Sequence, residues 1–212
     1  DVFSCPVIEA YGMTEATHQM TSNPLPPKQQ KAGFVGLPAG PEVCIMNENG
    51  EVLKQGDEGE VCIKGENVTV GYDNNEEANK TSFTNGWFRT GDQGYFDKEG
   101  YLKISGRLKE IINKGGEKIS PLEVDNVLMD HPFIDQAVCF GYDDKMLGEN
   151  IASAIIIKSG ETCSENDVLE YAKEKLAKFK IPKKIFFVEE IPKGATGKLQ
   201  RNVLAKKFGL NN

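Results

Sequence analysis

The sequence lacks long apolar runs and closely spaced cysteines. No stretch of about 18 apolar residues occurs, which excludes a transmembrane helix. The most apolar stretch, Ile151–Ile157, has only the length of a strand. Five cysteines are scattered without a Cys-x-x-Cys spacing, which excludes a zinc ribbon and a dense disulfide framework, and their odd number fits a reducing compartment. With 39% hydrophobic and 27% charged residues, the composition is that of a globular protein.

Positive charge is scarce in the first half of the chain. Residues 1–106 hold 8 basic and 16 acidic residues, whereas residues 107–212 hold 17 basic and 16 acidic ones. The net charge of −7 excludes a dedicated nucleic-acid binder, which would need a basic surface across the domain. Within residues 170–207, 11 basic residues outnumber 4 acidic ones. This segment is either a solvated helix face or a local anion site.

Short strands dominate the chain up to Arg107. Strand-like segments such as 43–46, 60–64 and 101–105 are separated by glycine-containing turns, and one helix is predicted over 75–83. The density of glycine favours a small β-barrel-like subdomain with tight corners.

After Arg107 strands and helices alternate, which predicts a compact α+β domain. The predicted strands cover 134–142, 151–157 and a buried segment at 185–188. The change of pattern divides the chain into the end of a larger domain, a hinge and a second domain, which cover residues 1–106, 107–110 and 111–212.

Three helices are predicted in the second domain. Ser120, followed by a proline and by Glu123, predicts a helix start with a capping box. Ser164 begins the second helix, whose apolar face is formed by Val168, Ala172, Leu176 and Phe179. The last helix covers residues 199–208.

Two motifs in the first half carry residue types suited to nucleotide chemistry. Tyr11-Gly-Met-Thr-Glu15 combines an aromatic face for a base, a glycine bend, a hydroxyl for a phosphate and a carboxylate for Mg²⁺. In Trp87-Phe-Arg-Thr-Gly-Asp92, a glycine lets the backbone approach a ligand, and the carboxylate accepts hydrogen bonds from a diol. A turn with a buried tyrosine and a hairpin with a capping aspartate are the structural alternatives.

Two further motifs lie at and beyond the predicted hinge. Gly106 to Ile119 mixes cations with the paired glycines Gly115 and Gly116, and a charged linker is its structural alternative. Pro192 to Arg201 places Lys198 on a glycine-rich loop, where its charge can clamp a phosphoryl oxygen. This loop is not a Walker A motif, because the Gly-x-x-x-x-Gly-Lys-Ser/Thr spacing fails.

Taken together and in this order, the four motifs resemble those of the acyl-CoA and aryl-CoA synthetases, in the ANL superfamily of adenylate-forming enzymes. The resemblance runs from about residue 5 to residue 208 and includes segments 33–38 and 59–65. It implies the ANL fold and an ATP-dependent acid–CoA ligase. Such a ligase uses ATP, Mg²⁺, CoA and a small carboxylic acid, and forms acyl-AMP and then acyl-CoA.

The resemblance also implies a role for each matching residue on the nucleotide side. Thr14 touches the phosphate and Glu15 holds Mg²⁺. The base and ribose are contacted by Tyr11, Gly12, Asp92 and Arg107.

In the second domain, the resemblance makes Lys109 the hinge about which this domain swings. Gly115 and Gly116 border the CoA tunnel, and Lys118 lies on the same side. Lys198 reaches the carboxylate–phosphate centre and ATP during adenylation.

The sequence departs from the family pattern in two places. Members close to coumarate-CoA ligase often carry lysine where Asn113 stands and glutamine where Lys118 stands, so Lys118 is expected to replace the missing cation. The family's Ser/Thr/Gly-rich phosphate loop belongs well upstream of Tyr11. Residues 1–212 are therefore expected to be the C-terminal part of a longer ligase and to be inactive alone.

The segment Met13-Thr-Glu-Ala-Thr-His18 resembles the oxalate-CoA ligase branch more than the coumarate branch. His18 either reads the second carboxylate of a small dicarboxylate such as oxalate or is a packing residue. The alternatives are another adenylate-forming enzyme (a 4-coumarate-type or fatty acyl-CoA ligase, a peptide-synthetase adenylation domain, a luciferase-like oxygenase) and a non-catalytic binding module. Without a Ser-Lys-Leu ending, a cytoplasmic rather than a peroxisomal location is expected.

Overall fold

Residues 4–193 and 199–211 are described by a computed structural model. The chain divides into two units, the first ending at Leu108 and the second beginning at Lys109. Each unit has sheets and hydrophobic clusters of its own. The division falls within the segment 107–110, and the hinge motion expected there stays a prediction.

The described part of the first unit contains eight strands and one α-helix: β1 (Ala10–Met13), β2 (His18–Ser22), β3 (Leu37–Pro38), β4 (Glu42–Met46), β5 (Gly59–Lys64), α1 (Glu76–Ser82), β6 (Phe83–Thr84), β7 (Trp87–Phe96) and β8 (Leu102–Arg107). The first three strands form one sheet, in the order β1-β2-β3. The other five form a second sheet in the order β4-β5-β7-β6, and β8 also pairs with β7. All pairs are antiparallel, and the glycine-rich part predicted from the sequence is this second, open sheet.

Two sheets of the first unit share a hydrophobic cluster. Ala16 lies just after β1, and Met20 lies in β2. Both pack with Ile63 of β5 and Phe88 of β7, and all four side chains are buried. Because Phe88 precedes Asp92 on the same strand, this packing brings the first two sequence motifs together.

The described part of the second unit contains five strands and three α-helices: β9 (Ile112–Lys114), β10 (Glu117–Ile119), α2 (Pro121–Met129), β11 (Ile134–Asp144), β12 (Gly148–Ile157), α3 (Glu165–Lys175), β13 (Lys184–Phe187) and α4 (Arg201–Lys207). The sheet order is β10-β9-β12-β11, and β13 pairs with β12 in parallel. Helices and strands therefore alternate as predicted.

The central strands of the second unit are buried on both faces. In β11, Ala137 and Cys139 pack in the cluster that contains α2 and α3, whereas Val138 and Phe140 pack in the cluster that contains α4. Successive side chains of a strand point to opposite faces, so this alternation places helices on both sides of the sheet.

The capping box predicted at Ser120 is wrong. The Ser120 side chain makes no capping hydrogen bond to α2, and the carboxylate of Glu123 lies 2.6 Å from Lys180 Nζ instead. A capping box does form at Ser164, which exchanges hydrogen bonds with Asp167 at the start of α3. The Glu123 carboxylate pairs with a cation distant in sequence, a contact that the local pattern does not encode.

Two boundaries near α3 also differ from the prediction. The helix ends at Lys175, so Leu176 is extended and Phe179 lies in a separate 3₁₀ turn, where it is exposed. Strand β13 is half-buried rather than buried, because Ile185 and Phe186 are partly covered and Phe187 is exposed. Among the helices of the described residues, none is long and apolar enough to cross a membrane.

Candidate functional site

Tyr11, Asp92 and Arg107 meet in the first unit. The Tyr11 hydroxyl donates a 2.5 Å hydrogen bond to Asp92 Oδ2. Arg107 Nε lies 3.1 Å from Asp92 Oδ1, because Asp92 of β7 and Arg107 of β8 are directly paired across the antiparallel ladder. Three of the four motifs found in the sequence therefore contribute to one cluster.

Burial and charge in this cluster determine which side chains donate hydrogen bonds. Burial raises the pKa of Tyr11, and the Asp92 carboxylate raises it further, so the phenol keeps its proton. Asp92 is part-buried, while the Arg107 side chain is 50% exposed. A carboxylate held from two sides can accept hydrogen bonds from a vicinal diol such as a ribose.

Glu15 lies in a 3₁₀ turn, Thr14–Ala16, that directly follows β1. Its Oε1 accepts a 2.9 Å hydrogen bond from the hydroxyl of Tyr72, and its carbonyl accepts a 2.7 Å bond from Thr69 N–H. Burial raises the pKa of Tyr72, as does the Glu15 carboxylate. Thr14 is exposed beside Glu15. The turn thus presents a hydroxyl and an oriented carboxylate.

Gly12 and His18 approach each other across the β1–β2 pair. A Cβ at Gly12 would overlap the carbonyl oxygen of His18, so a side chain cannot be accommodated at this position. Met13 pairs with His18 in the ladder, and the His18 side chain is exposed. The glycine predicted as a bend is therefore required for close strand pairing.

The paired glycines of the third motif form the turn between β9 and β10. Gly115 and Gly116 have φ values of 63° and 94°, and two consecutive positive φ values are a turn geometry that favours glycine. The strands before and after the turn pair Asn113 directly with Lys118. Directly paired residues lie on one face of the sheet, so Lys118 stands beside the position where the family often has its cation.

Of the predicted residues Lys109 and Lys198, the structure describes only Lys109. Lys109 lies exposed in a 3₁₀ turn, Leu108–Glu110. Lys198 lies outside the described residues. The described residues on either side, Lys193 and Leu199, pair in an isolated β-bridge.

A buried ionic network surrounds Arg201, and the sequence motifs do not predict it. Its guanidinium lies 2.9 Å from Glu110 Oε2 and 2.5 Å from Asp125 Oδ2, and it donates a 2.9 Å bond to the carbonyl of Cys139. The Arg201 and Asp125 side chains are 12% and 4% exposed. Burial raises the pKa of Asp125 to about 6, and Arg201 opposes this rise. The sequence carries one sign of this network. Asp125 lies next to Val124 on a helix face that is otherwise apolar.

Tyr72, Thr69 and Asn67 were also missed, since nothing in the sequence links them to Glu15 or His18. Within the described residues, no group of three or more histidine, cysteine, aspartate and glutamate side chains is placed to hold a metal ion.

An aspartate bonded to a tyrosine and an arginine, a second oriented carboxylate beside a hydroxyl, and a separate α+β unit are the arrangement expected from motifs that resemble those of adenylate-forming enzymes. Family models agree: "AMP-binding enzyme" matches residues 1–73, and "AMP-binding enzyme C-terminal domain" matches residues 123–198. The chain belongs to the AMP-binding enzyme family.

Curated relatives share more than half of the aligned residues. The oxalate–CoA ligase of Saccharomyces cerevisiae is 55% identical over 208 residues, which are 97% of this chain and 38% of that protein. The oxalate–CoA ligase of Arabidopsis thaliana is 54% identical over 209 residues, which are 98% of this chain and 41% of that protein. The chain therefore spans about two fifths of the length of these relatives.

A solved structure supports the fold. The o-succinylbenzoate coenzyme A synthetase of Bacillus subtilis, in complex with ATP and magnesium ion, matches with a TM-score of 0.84 and 39% identity. The match covers 93% of this chain and 41% of that one.

Proposed function

We propose that this chain is the C-terminal part of an ATP-dependent acid–CoA ligase whose acid is a small dicarboxylate such as oxalate. The observation that carries the proposal is the cluster of Tyr11, Asp92 and Arg107, in the same unit as Glu15. The two oxalate–CoA ligases described above support the choice of acid.

On the nucleotide side, Asp92 accepts hydrogen bonds from the ribose hydroxyls, and Arg107 holds the carboxylate in place. Tyr11 lines the adenine pocket with its ring, because its hydroxyl is already engaged by Asp92. Gly12 keeps the strand close enough to its neighbour for this arrangement. Thr14 offers its hydroxyl to a phosphate oxygen.

Glu15 fits a magnesium role. Tyr72 occupies one carboxylate oxygen, which orients the group and leaves the other oxygen available to a cation. One carboxylate together with substrate phosphates is a usual way for proteins to hold Mg²⁺. The bound cation would neutralise charge on the phosphates of ATP.

Adenylation is the first half-reaction. A carboxylate oxygen of the acid attacks the α-phosphorus of ATP, the bond from that phosphorus to the bridging oxygen breaks, and pyrophosphate leaves with the electron pair. Lys198 supplies positive charge to the phosphoryl oxygens as negative charge accumulates in the transition state.

Thioester formation is the second half-reaction. The CoA sulfur, having lost its proton to solvent, attacks the acyl carbon, and AMP leaves with the electrons of the carbon–oxygen bond. Gly115, Gly116 and Lys118 lie on the CoA side. Lys109 serves as the hinge that lets one domain act in both half-reactions, since Lys198 must withdraw before the thiol enters.

His18 is the candidate for reading the second carboxylate of the acid. It directly follows the Glu15 turn in the fold, and its side chain is exposed rather than packed. An imidazole at this position can donate a hydrogen bond to a carboxylate.

The test is acid-dependent pyrophosphate release by the full-length enzyme that contains this chain. Oxalate, acetate, 4-coumarate and a long-chain fatty acid are compared at equal concentration, with and without CoA. We expect release with oxalate, and oxalyl-CoA when CoA is present. A preference for coumarate or the fatty acid would replace the proposed acid, and no release with any acid would favour a binding module. Residues 1–212 alone should turn over nothing.

A further inference from the structure

The turn between the Glu15 segment and β2 has a strained backbone. Thr17 and His18 have φ values of 50° and 90°. In the described residues, they form the only consecutive pair of non-glycine residues with positive φ. This conformation is disfavoured for non-glycine residues, most of all for a β-branched one such as Thr17. Strain of this kind persists only where surrounding contacts enforce it.

Asn67 makes those contacts. Its Nδ2 donates to the carbonyl of Ala16 at 2.8 Å and to the carbonyl of Gln19 at 3.4 Å. In return, Thr17 Oγ1 donates a 2.7 Å hydrogen bond to the carbonyl of Asn67. One residue, distant in sequence, therefore holds the backbone on both sides of Thr17 and His18.

The strained turn determines the direction of the His18 side chain. If the turn relaxed to ordinary φ values, the direction of the His18 side chain would change relative to Glu15. The close approach of Gly12 to the His18 carbonyl fixes the opposite side of the same turn. The position of His18 is thus set by a glycine on one side and by the Asn67 amide on the other.

We propose that Asn67 is a positioning residue for acid specificity, which holds Thr17 and His18 in the strained turn so that His18 meets the second carboxylate of the acid. This inference rests on the proposed function. Asn67 acts through His18 and does not itself touch the acid.

The first experiment measures kcat and KM of the full-length enzyme for oxalate and for ATP in Asn67→Ala and Asn67→Asp. Both variants lose the amide donor, and the aspartate keeps nearly the same side-chain volume, so the test does not depend on a cavity. We expect the KM for oxalate to rise about 5- to 30-fold, the effect of one or two lost hydrogen bonds. The KM for ATP should change by less than about 2-fold, which is the size of effect usual for a substitution on the protein surface.

A double-mutant cycle separates positioning from general stabilisation. His18→Ala is combined with Asn67→Ala, and the KM for oxalate is compared with each single variant. If Asn67 acts through His18, removing Asn67 from the His18→Ala enzyme adds less than about 2-fold. Independent, multiplicative effects would overturn the inference.

Asn47→Ala is the matched control. Asn47 also fastens a turn of the first unit through its side chain, which accepts hydrogen bonds from the backbone of Asn49 and Glu51. The Asn47→Ala substitution should lower the stability of the fold without raising the KM for oxalate. An unchanged oxalate KM in Asn67→Ala, with an active wild type, would overturn the inference alone. A wild type inactive with oxalate would overturn both it and the proposed acid.

Discussion

The hydroxyl of Tyr11 and the carboxylate of Asp92, 81 positions apart in the sequence, are joined by a 2.5 Å hydrogen bond. The bond orients an aromatic ring and a carboxylate relative to each other before any nucleotide arrives. Arg107 holds the other carboxylate oxygen, so all three side chains are fixed by a single acidic group. Removing Asp92 should therefore disturb adenine and ribose contacts together.

Asp92→Ala is expected to weaken AMP binding to the full-length enzyme by about 10- to 100-fold, the loss of a hydrogen bond to a charged group. Isothermal titration with AMP measures this change. Asp97→Ala is the control, since Asp97 pairs with Lys31 and caps the β7–β8 turn but does not contact the cluster. Equal weakening in both variants would attribute the effect to lost stability rather than to the ribose contact.

Arg201→Met should destabilise the second unit by about 3–5 kcal/mol at pH 8, because Asp125 is left buried and charged without its cation. Burial already raises the pKa of Asp125 to about 6. Because Arg201 opposes this rise, its removal leaves the pKa of Asp125 higher still. Asp125 therefore takes up a proton as pH falls from 8, and the missing cation matters less. The loss should therefore shrink at pH 5, as measured by urea unfolding at both pH values.

Lys206→Met provides the control on the same helix, since Lys206 is exposed in α4. It should change the free energy of unfolding by less than about 0.5 kcal/mol at either pH. A loss in Arg201→Met that is the same at pH 5 and pH 8 would show that the Asp125 charge is not its cause.

Asp144→Asn tests a carboxylate whose pKa is lowered to about 2. The Asn150 amide donates to it, as do the N–H groups of Met146 and Leu147. A lowered pKa in the folded state stabilises the fold above the unfolded value of 3.8, and this contribution is lost as pH falls through about 2. The variant should be less stable than the wild type at pH 7, and the difference should diminish between pH 4 and pH 2.

Urea unfolding across that pH series measures the difference, and NMR titration of the Asp144 carboxyl carbon measures the pKa directly. Lys145→Ala, an exposed change in the same loop, should leave the Asp144 titration in place. A stability difference that does not vary with pH would contradict the assigned cause.

Local pattern was enough to predict the long strands β11 and β12 and several strands of the first unit, but not β1, β2, β9 or β10. Alternating apolar residues marked β5, the motifs supplied Tyr11 and Asp92 by residue type, and the family resemblance added Arg107. The hairpin turn alone would pair Asp92 with Gly106. A bulge between Gln93 and Gly94 shifts the register by one residue, so Asp92 lies opposite Arg107, and local pattern does not predict that shift.

Long-range polar contacts could not be predicted in the same way. Asn67 and Tyr72 meet the Glu15 turn through side-chain hydrogen bonds that leave no periodic trace in the sequence. The spacing from Ser120 to Glu123 fits a capping box. Glu123 pairs with Lys180 instead, because the tertiary fold places that lysine beside its carboxylate. Such contacts depend on packing between elements, which local propensity does not contain.

Lys198→Ala in the full-length enzyme tests the domain swing. Lysine at this position should stabilise negative charge only while the acid attacks ATP, so acid-dependent adenylation is expected to fall by about 10²- to 10³-fold, the loss typical of one transition-state donor. Supplied acyl-AMP should still react with CoA at nearly the wild-type rate. Pyrophosphate release measures the first half-reaction, and CoA ester formation from synthetic acyl-AMP measures the second.

Lys193→Ala is the matched control for Lys198→Ala, because Lys193 lies five positions earlier and is exposed. It should change neither half-reaction by more than a few-fold, as expected for a surface lysine. If Lys198→Ala impaired both half-reactions equally, the lysine would serve one arrangement common to both steps, and the assignment of separate orientations would fail. Selective loss of adenylation is the outcome expected if a domain swing about Lys109 brings the lysine to the phosphates only during the first half-reaction.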